Sequence, residues 1–191
     1  IIQYFNNPRI KYIKIHNNGL IAASRNLGIK KSKGVYIAFL DSDDWWMPKK
    51  LEESVKYLET GLDVVYHDLL IAKKLNQKIF LRRARSKKLK KPVFKDLLSN
   101  GCALMHSSVV IRRDILLQIG GLPEDKKMNN WGDLHAWLLV ARHTNRFKKL
   151  PKPHGFYWLG GGNFTTPKKT IDAIAHFENV FDKDIKNLNL A

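Results

Sequence analysis

Val35–Asp44, VYIAFLDSDD, is the stretch whose reading decides the fold. Val35–Leu40 is a continuous apolar run rich in strand formers. It predicts a strand buried on both faces, as in a parallel or mixed sheet. Asp41, Ser42, Asp43 and Asp44 follow at once, so a polar cluster sits at that strand's C-terminal end. In open α/β sheets, ligands bind outside the carboxyl ends of strands. Asp41 and Asp43 lie two apart and in extended chain face the same side. Carboxylates this close repel one another unless a cation or proton intervenes. Hard cations such as Mg²⁺ or Mn²⁺ suit them, because such ions take oxygen ligands, usually one or two carboxylates plus substrate phosphates. The cluster also has a purely structural reading: Asp43 or Asp44 ahead of a helix led by Pro48 would cap it.

Outward from this stretch, strands and helices alternate, which means α/β. Lys11–Ile15 alternates polar and apolar like a half-buried strand, and Leu20, Ala23 and Leu27 recur at helical spacing ahead of Gly34. Pro48 suits the first position of a helix whose apolar stripe is Leu51, Val55 and Leu58. Asp63–Ile71 reads as one strand, Val93–Leu98 as a short helix, Ser108–Ile111 as a strand, and Asp114–Ile119 as a helix closed by Gly120–Gly121. A helix is expected near 133–143, a last strand over Gly155–Leu159, and a C-terminal amphipathic helix carrying Ile174, Phe177, Phe181, Ile185 and Leu188.

Composition narrows the function classes. The chain has 191 residues, with 34 Lys and Arg against 17 Asp and Glu, a net charge of +17. At 44% hydrophobic residues it is no disordered polycation. A single cysteine, Cys102, excludes an internal disulfide framework and zinc sites built on paired cysteines. No apolar run approaches the roughly 18 residues of a membrane span, and no signal-peptide pattern is present. The charge favours an anionic partner. Its densest run is Arg82–Lys91, RRARSKKLKK; Lys30, Lys31 and Lys33 form a second cluster. Neither run interleaves aromatics, so a base-stacking surface is poorly supported and nucleic acid is the weakest partner class. A solvated loop or an anionic membrane surface remains for the run.

Three ordered segments carry a resemblance. Asn18–Leu51 reads NGLIAASRNLGIKKSKGVYIAFLDSDDWWMPKKL, Ser107–Asp125 reads SSVVIRRDILLQIGGLPED, and Asp133–Ala141 reads DLHAWLLVA. Together they resemble the family 2 glycosyltransferases of the GT-A fold, over most of residues 9–165. The resemblance implies a mixed, Rossmann-like α/β sheet flanked by helices as residues 1–165, with residues 166–191 as an amphipathic helix packed on it. It implies transfer of a sugar from a nucleotide-diphosphate sugar to an acceptor hydroxyl, with inversion. Asp41 and Asp43 would form the D-x-D motif and hold Mn²⁺ or Mg²⁺ on the diphosphate, with Asp44 in support. Arg25 would lie near the donor nucleotide or its phosphates, and Ser42 near the ribose. The family's E-D motif reads Gly132–Asp133 here, which makes Asp133 the expected base, with Glu124 and Asp125 in reserve. His106 and Trp131 are the expected acceptor-side residues, while Trp137 belongs to an apolar stripe and at least one of Trp45 and Trp46 packs under the site. Each polar candidate also has a structural reading: Asp133 as a first-turn acid, Arg25 as a helix-surface arginine, His106 as a buried histidine. The remaining histidines show no close pairing for a metal, and Gly160–Gly162 reads as a flexible loop.

The resemblance implies a glycan or lipid-linked acceptor, a surface polysaccharide or glycolipid product, and a cytoplasmic protein, peripheral at the inner face of the plasma membrane. It departs from the family at the front, where the V-S-V-I-I-P-x-Y-N strand and the D-D-G-S strand end have no counterpart, and the chain begins at Ile1. An N-terminally truncated GT-A domain is therefore expected, with an exposed sheet edge. Two alternatives stand beside the enzyme: a non-catalytic fragment or interaction subunit that keeps the fold, and a basic nucleic-acid-binding protein.

Overall fold

The deciding stretch folds as a short strand, β1 (Tyr36–Ala38), followed by a turn through the aspartates. The structure, a computed structural model, describes residues 7–74, 76–101, 104–160 and 167–189. β1 opens a sheet completed by β6 (Val110–Arg112), β3 (Val64–Tyr66) and β7 (Phe147–Lys149), in the order β1-β6-β3-β7. β6 is antiparallel to β1 and β3, and β3 is parallel to β7. A second sheet runs β2 (Trp45–Trp46), β8 (Gly155–Trp158), β4 (Leu69–Ala72), β5 (Arg83–Ala84). Its central pair, β4 and β8, is parallel and its outer pairs are antiparallel.

Among the described residues, six α-helices flank these sheets: α1 (Ile21–Lys31), α2 (Lys50–Leu58), α3 (Val93–Asn100), α4 (Arg113–Gln118), α5 (Gly132–His143) and α6 (Pro167–Asn187). Strand alternation splits the core. Val64 and Tyr66 of β3 join Ile111, Leu116, Trp137 and Phe181 in the main cluster, while Val65 joins Leu58, Val110 and Leu150 in a smaller one. The expected C-terminal helix forms. Its Phe177 and Phe181 belong to the main cluster, and the 165/166 boundary lies outside the described residues, as do Cys102, Gly161 and Gly162.

Several local expectations are corrected. Lys11–Ile15 is no strand: no neighbouring strand pairs with it among the described residues, and Ile13 and Ile15 are exposed. β1 is not buried on both faces. Among the described residues it pairs with β6 alone and forms the edge of that sheet, and Val35 just before it is 65% exposed. Asp63–Ile71 is two strands in different sheets, broken where the buried His67 ring turns its Nδ1 to the Asp68 carbonyl at 2.8 Å. In α2 the buried positions are Lys50, Ser54 and Leu58, while Leu51 is exposed. The lysine turns the helix, because its ammonium finds an acceptor only inside, at the Ser108 carbonyl, 2.7 Å away. In α1 the buried positions are Asn26 and Ile29. Asn26 accepts from Leu122 N–H at 2.7 Å and donates to Leu122 O and Glu124 Oε1, both at 2.8 Å. This clasp explains the Gly-Gly after α4. Gly120 and Gly121 have φ of +78° and +97°, and a Cβ at Gly121 would stand 2.7 Å from Asn26 Oδ1.

Candidate active site

The aspartate turn hangs from β1. Asp44 N–H donates to Asp41 O at 3.1 Å, closing a tight turn with Ser42 and Asp43 exposed at its tip. The turn rests on a 3₁₀ turn, His106–Ser108, whose three side chains are buried. The Ser107 hydroxyl accepts from Asp41 N–H at 3.0 Å and donates to the Asp44 carboxylate, and Ser107 O accepts from Trp46 Nε1 at 2.8 Å. Trp46 therefore packs under the site as expected.

The three aspartates differ in burial. Asp44 is buried, and its Oδ1 accepts from Trp158 N–H on β8 at 3.0 Å. Burial, reinforced by the neighbouring Asp43 and Asp41 charges, pushes its carboxyl above the usual range. It is a structural tie between the turn and the second sheet. Asp41 and Asp43 remain outward. Asp43 is exposed and has no side-chain partner among the described residues. Among those residues no group of three His, Cys, Asp or Glu side chains converges as a metal site. Two outward carboxylates do suit a hard cation that takes its other ligands from a diphosphate and water.

Arg25 reaches in from α1. Its Nη2 donates to Asp41 Oδ1 at 2.6 Å, and its Nη1 lies 3.6 Å from Asp133 Oδ1. Asp133 stands in the first turn of α5, where the helix N-terminus favours negative charge. His106 Nδ1 lies 2.6 Å from Asp133 Oδ1. Burial would raise the Asp133 carboxyl, but the His106 and Arg25 charges and the His106 hydrogen bonds overcome it and hold it below the usual range. Its side chain is still 46% exposed at the mouth of the cleft. Arg25, Asp41, His106 and Asp133 line one cleft of about 210 Å³, walled by Ile21, Ala22, Leu122 and Pro123.

The other expected residues are placed differently. His106 is buried behind Asp133, its ring against Phe39 and Trp137, and it faces that carboxylate. Trp131 turns an edge to Phe177 of α6 at 5.5 Å and packs against the main core. Trp137 is fully buried, its Nε1 donating to Leu104 O. Of the reserve carboxylates, Glu124 is held by Asn26, and Asp125 by His176 at 2.7 Å.

Five residues escape sequence reasoning. Tyr157 on β8 has its phenol raised by burial, then by the charges of Asp44, Asp43, Asp41 and Asp133, so it stands in the field of all four carboxylates. Ser107 holds the turn from below. Lys50, buried, sits 5.4 Å above the Trp46 ring, and burial pushes its ammonium down to about 7. His67 and His154, distant in sequence, meet edge-to-face at 5.5 Å, and burial, then the Lys50 charge, pushes His67 down to about 3. Only Ser107 carried a sequence signal, the paired serines before a strand.

A family profile described as Glycosyl transferase family 2 matches residues 1–120, more than half of the chain. The chain belongs to glycosyltransferase family 2. The family 2 chain is 30% identical over 149 residues to the uncharacterized glycosyltransferase MJ1057 of Methanocaldococcus jannaschii, which covers 74% of this chain and 48% of that protein. It is 28% identical over 142 residues to WfgD of Escherichia coli, a UDP-Glc:alpha-D-GlcNAc-diphosphoundecaprenol beta-1,3-glucosyltransferase, covering 74% and 52%. The chain thus spans about half the length of these two relatives. Among solved structures, S. aureus TarS residues 1–349 superpose with a TM-score of 0.57 at 16% identity, covering 85% of this chain and 44% of that one. The fold is GT-A. No described helix is long and apolar enough to cross a membrane.

Proposed function

We propose that this family 2 chain carries the donor-phosphate and base elements of an inverting, metal-dependent glycosyltransferase. It takes a UDP-sugar and extends a lipid-linked glycan or surface polysaccharide. The observation that carries this reading is the confrontation of Asp41 and Asp133 across one cleft, with Arg25 between them at 2.6 and 3.6 Å. A uridine donor is supported by WfgD, named for UDP-Glc, and by TarS, solved in complex with UDP and with UDP-GlcNAc.

Asp133 takes the proton from the acceptor hydroxyl as its oxygen bonds to the anomeric carbon. The bond from that carbon to the diphosphate oxygen breaks, and the nucleoside diphosphate leaves with the electron pair. Arg25 meets the leaving oxyanions, where a guanidinium binds two oxygens at once. A divalent cation on Asp41 and Asp43, Mn²⁺ or Mg²⁺, would neutralise charge developing on the leaving diphosphate. Ser42, exposed beside them, is assigned to the donor ribose on the resemblance alone. His106 orients Asp133 and keeps it ionised, a positioning role in place of acceptor contact. Trp131 keeps at most a partial acceptor face.

The test is sugar transfer from a panel of UDP-sugars to a diphospholipid-linked sugar, with and without Mn²⁺, and the anomeric configuration of the product read by NMR. Inverted product that needs metal and Asp133 supports the reading. Retained configuration would sink it, and UDP binding without any transfer would favour the non-catalytic subunit.

A further inference from the structure

The edge of the second sheet beside β5 has no part in the transfer chemistry. Leu81 is 89% and Ile79 72% exposed, the two barest large hydrophobic side chains among the described residues. Phe80 between them folds back on Phe156 at 4.7 Å, and Ile71 N–H donates to Arg82 O at 2.9 Å, so the tip is anchored. The basic run begins at once. Lys87 is taken by Asp96 at 2.9 Å, and Lys90 N–H donates to Asp96 Oδ2 at 2.9 Å, but Arg82, Arg83, Arg85, Lys88, Lys90 and Lys91 are exposed, and none of their side-chain cations has a carboxylate within 4.0 Å among the described residues. Phe156 in turn stacks on Trp45 at 5.1 Å, next to Asp44. Two ring contacts therefore tie this edge to the aspartate turn.

Bare aliphatic side chains ringed by unpaired cations match an anionic lipid surface, where both features are satisfied together. They match other partners poorly. The tip offers nucleic acid no exposed aromatic ring to stack on. A second copy would bring the same positive collar against itself across a two-residue edge strand.

We propose that Ile79 and Leu81, with the collar from Arg82 to Lys91, form a docking edge for an anionic bilayer. The aliphatic pair enters the acyl boundary, and the cations meet headgroup phosphates. The edge stands on its own geometry. Only its consequence, holding the cleft near a membrane-borne acceptor, rests on the transferase reading.

The test is co-sedimentation of the 191-residue chain with vesicles of phosphatidylcholine alone or with phosphatidylglycerol, at 0.15 M salt. The double variant Ile79→Ser/Leu81→Ser and the triple variant Arg82→Gln/Arg83→Gln/Arg85→Gln are run beside it, with melting and the UDP–Mn²⁺ shift of each. Each cation near the surface is worth about fivefold in binding, so the chain should prefer the anionic vesicles by well over tenfold and the triple variant should lose most of that. The double serine variant should lose about tenfold or more, with melting and nucleotide response unchanged. Equal binding by the serine variant would overturn the docking edge. So would no preference for phosphatidylglycerol, or a wild-type dimer that the serine changes abolish. Docking without any nucleotide shift would leave the edge standing and remove the transferase reading instead; a nucleotide shift without docking would do the reverse.

Discussion

Asp133, the proposed base, would work only while ionised, and its neighbours Arg25 and His106 favour that state. With its carboxyl depressed, the protonated fraction is negligible at neutral pH. The acid limb of kcat/KM that belongs to Asp133 is therefore expected below about pH 4, the ordinary carboxylate range. His106→Asn removes the first of the groups that lower the Asp133 carboxyl and should move that limb to higher pH, while Asp133→Asn should lower kcat by about 10²–10⁴-fold and leave donor binding intact. A pH profile of transfer for both variants checks this. A limb unmoved in His106→Asn would mean Arg25 alone sets the carboxyl. Lys50 poses the opposite problem. Its folded-state pKa, about 7, lies below the unfolded value. Between about pH 7 and 10.4 the unfolded chain holds the extra proton, so stability from this group rises with pH there and its full cost is present below 7. Lys50→Met should flatten that slope, read as the difference in melting temperature between pH 7 and pH 10 for variant and wild type. The placement of these residues was partly legible. The sequence singled out Arg25, Asp41, Asp43 and Asp133, and three of them, Arg25, Asp41 and Asp133, line one cleft. Asp44 did not separate from its neighbours, because burial is a property of what packs around a side chain.

At the scale of elements, glycine positions divide sharply. Gly121→Ala faces a φ of +97° and the clasped Asn26 amide at 2.7 Å. It should cost about 1–3 kcal/mol and loosen α1, which carries Arg25. Gly132→Ala, at the head of α5 with φ of −55° and nothing within 4 Å, should be neutral or stabilising by up to about 1 kcal/mol. Chemical denaturation of the two variants checks both signs. Periodicity foresaw α3, α4, α5, α6 and β8 well, because their buried faces are mostly apolar, Asp96 of α3 and His135 of α5 being the exceptions. In α1 and α2 it found the helices but not the whole of their buried faces, which hold Asn26, Lys50 and Ser54. There a polar group satisfied by a distant carbonyl or amide outranks the apolar stripe. The single strand read over Asp63–Ile71 hid a change of sheet, since an apolar run does not record which neighbour it pairs with.

At the scale of the molecule, order along the chain was the legible part. The three segments that resemble family 2 converge in space: Arg25 from the first, the aspartate turn from the same segment, His106 beside the second and Asp133 from the third meet in one cleft. The convergence itself was not legible, nor the place of Tyr157, because both depend on the β4–β8 and β1–β6 pairings. The central claim is that this cleft binds a metal–nucleoside diphosphate through Asp41 and Asp43, facing Asp133. The most direct measurement is calorimetric titration of the chain with UDP, with and without Mn²⁺, beside Asp43→Ala and Asp133→Asn. The account predicts metal-dependent binding that Asp43→Ala abolishes and Asp133→Asn preserves. Binding of equal strength without metal, or unchanged in Asp43→Ala, would contradict it.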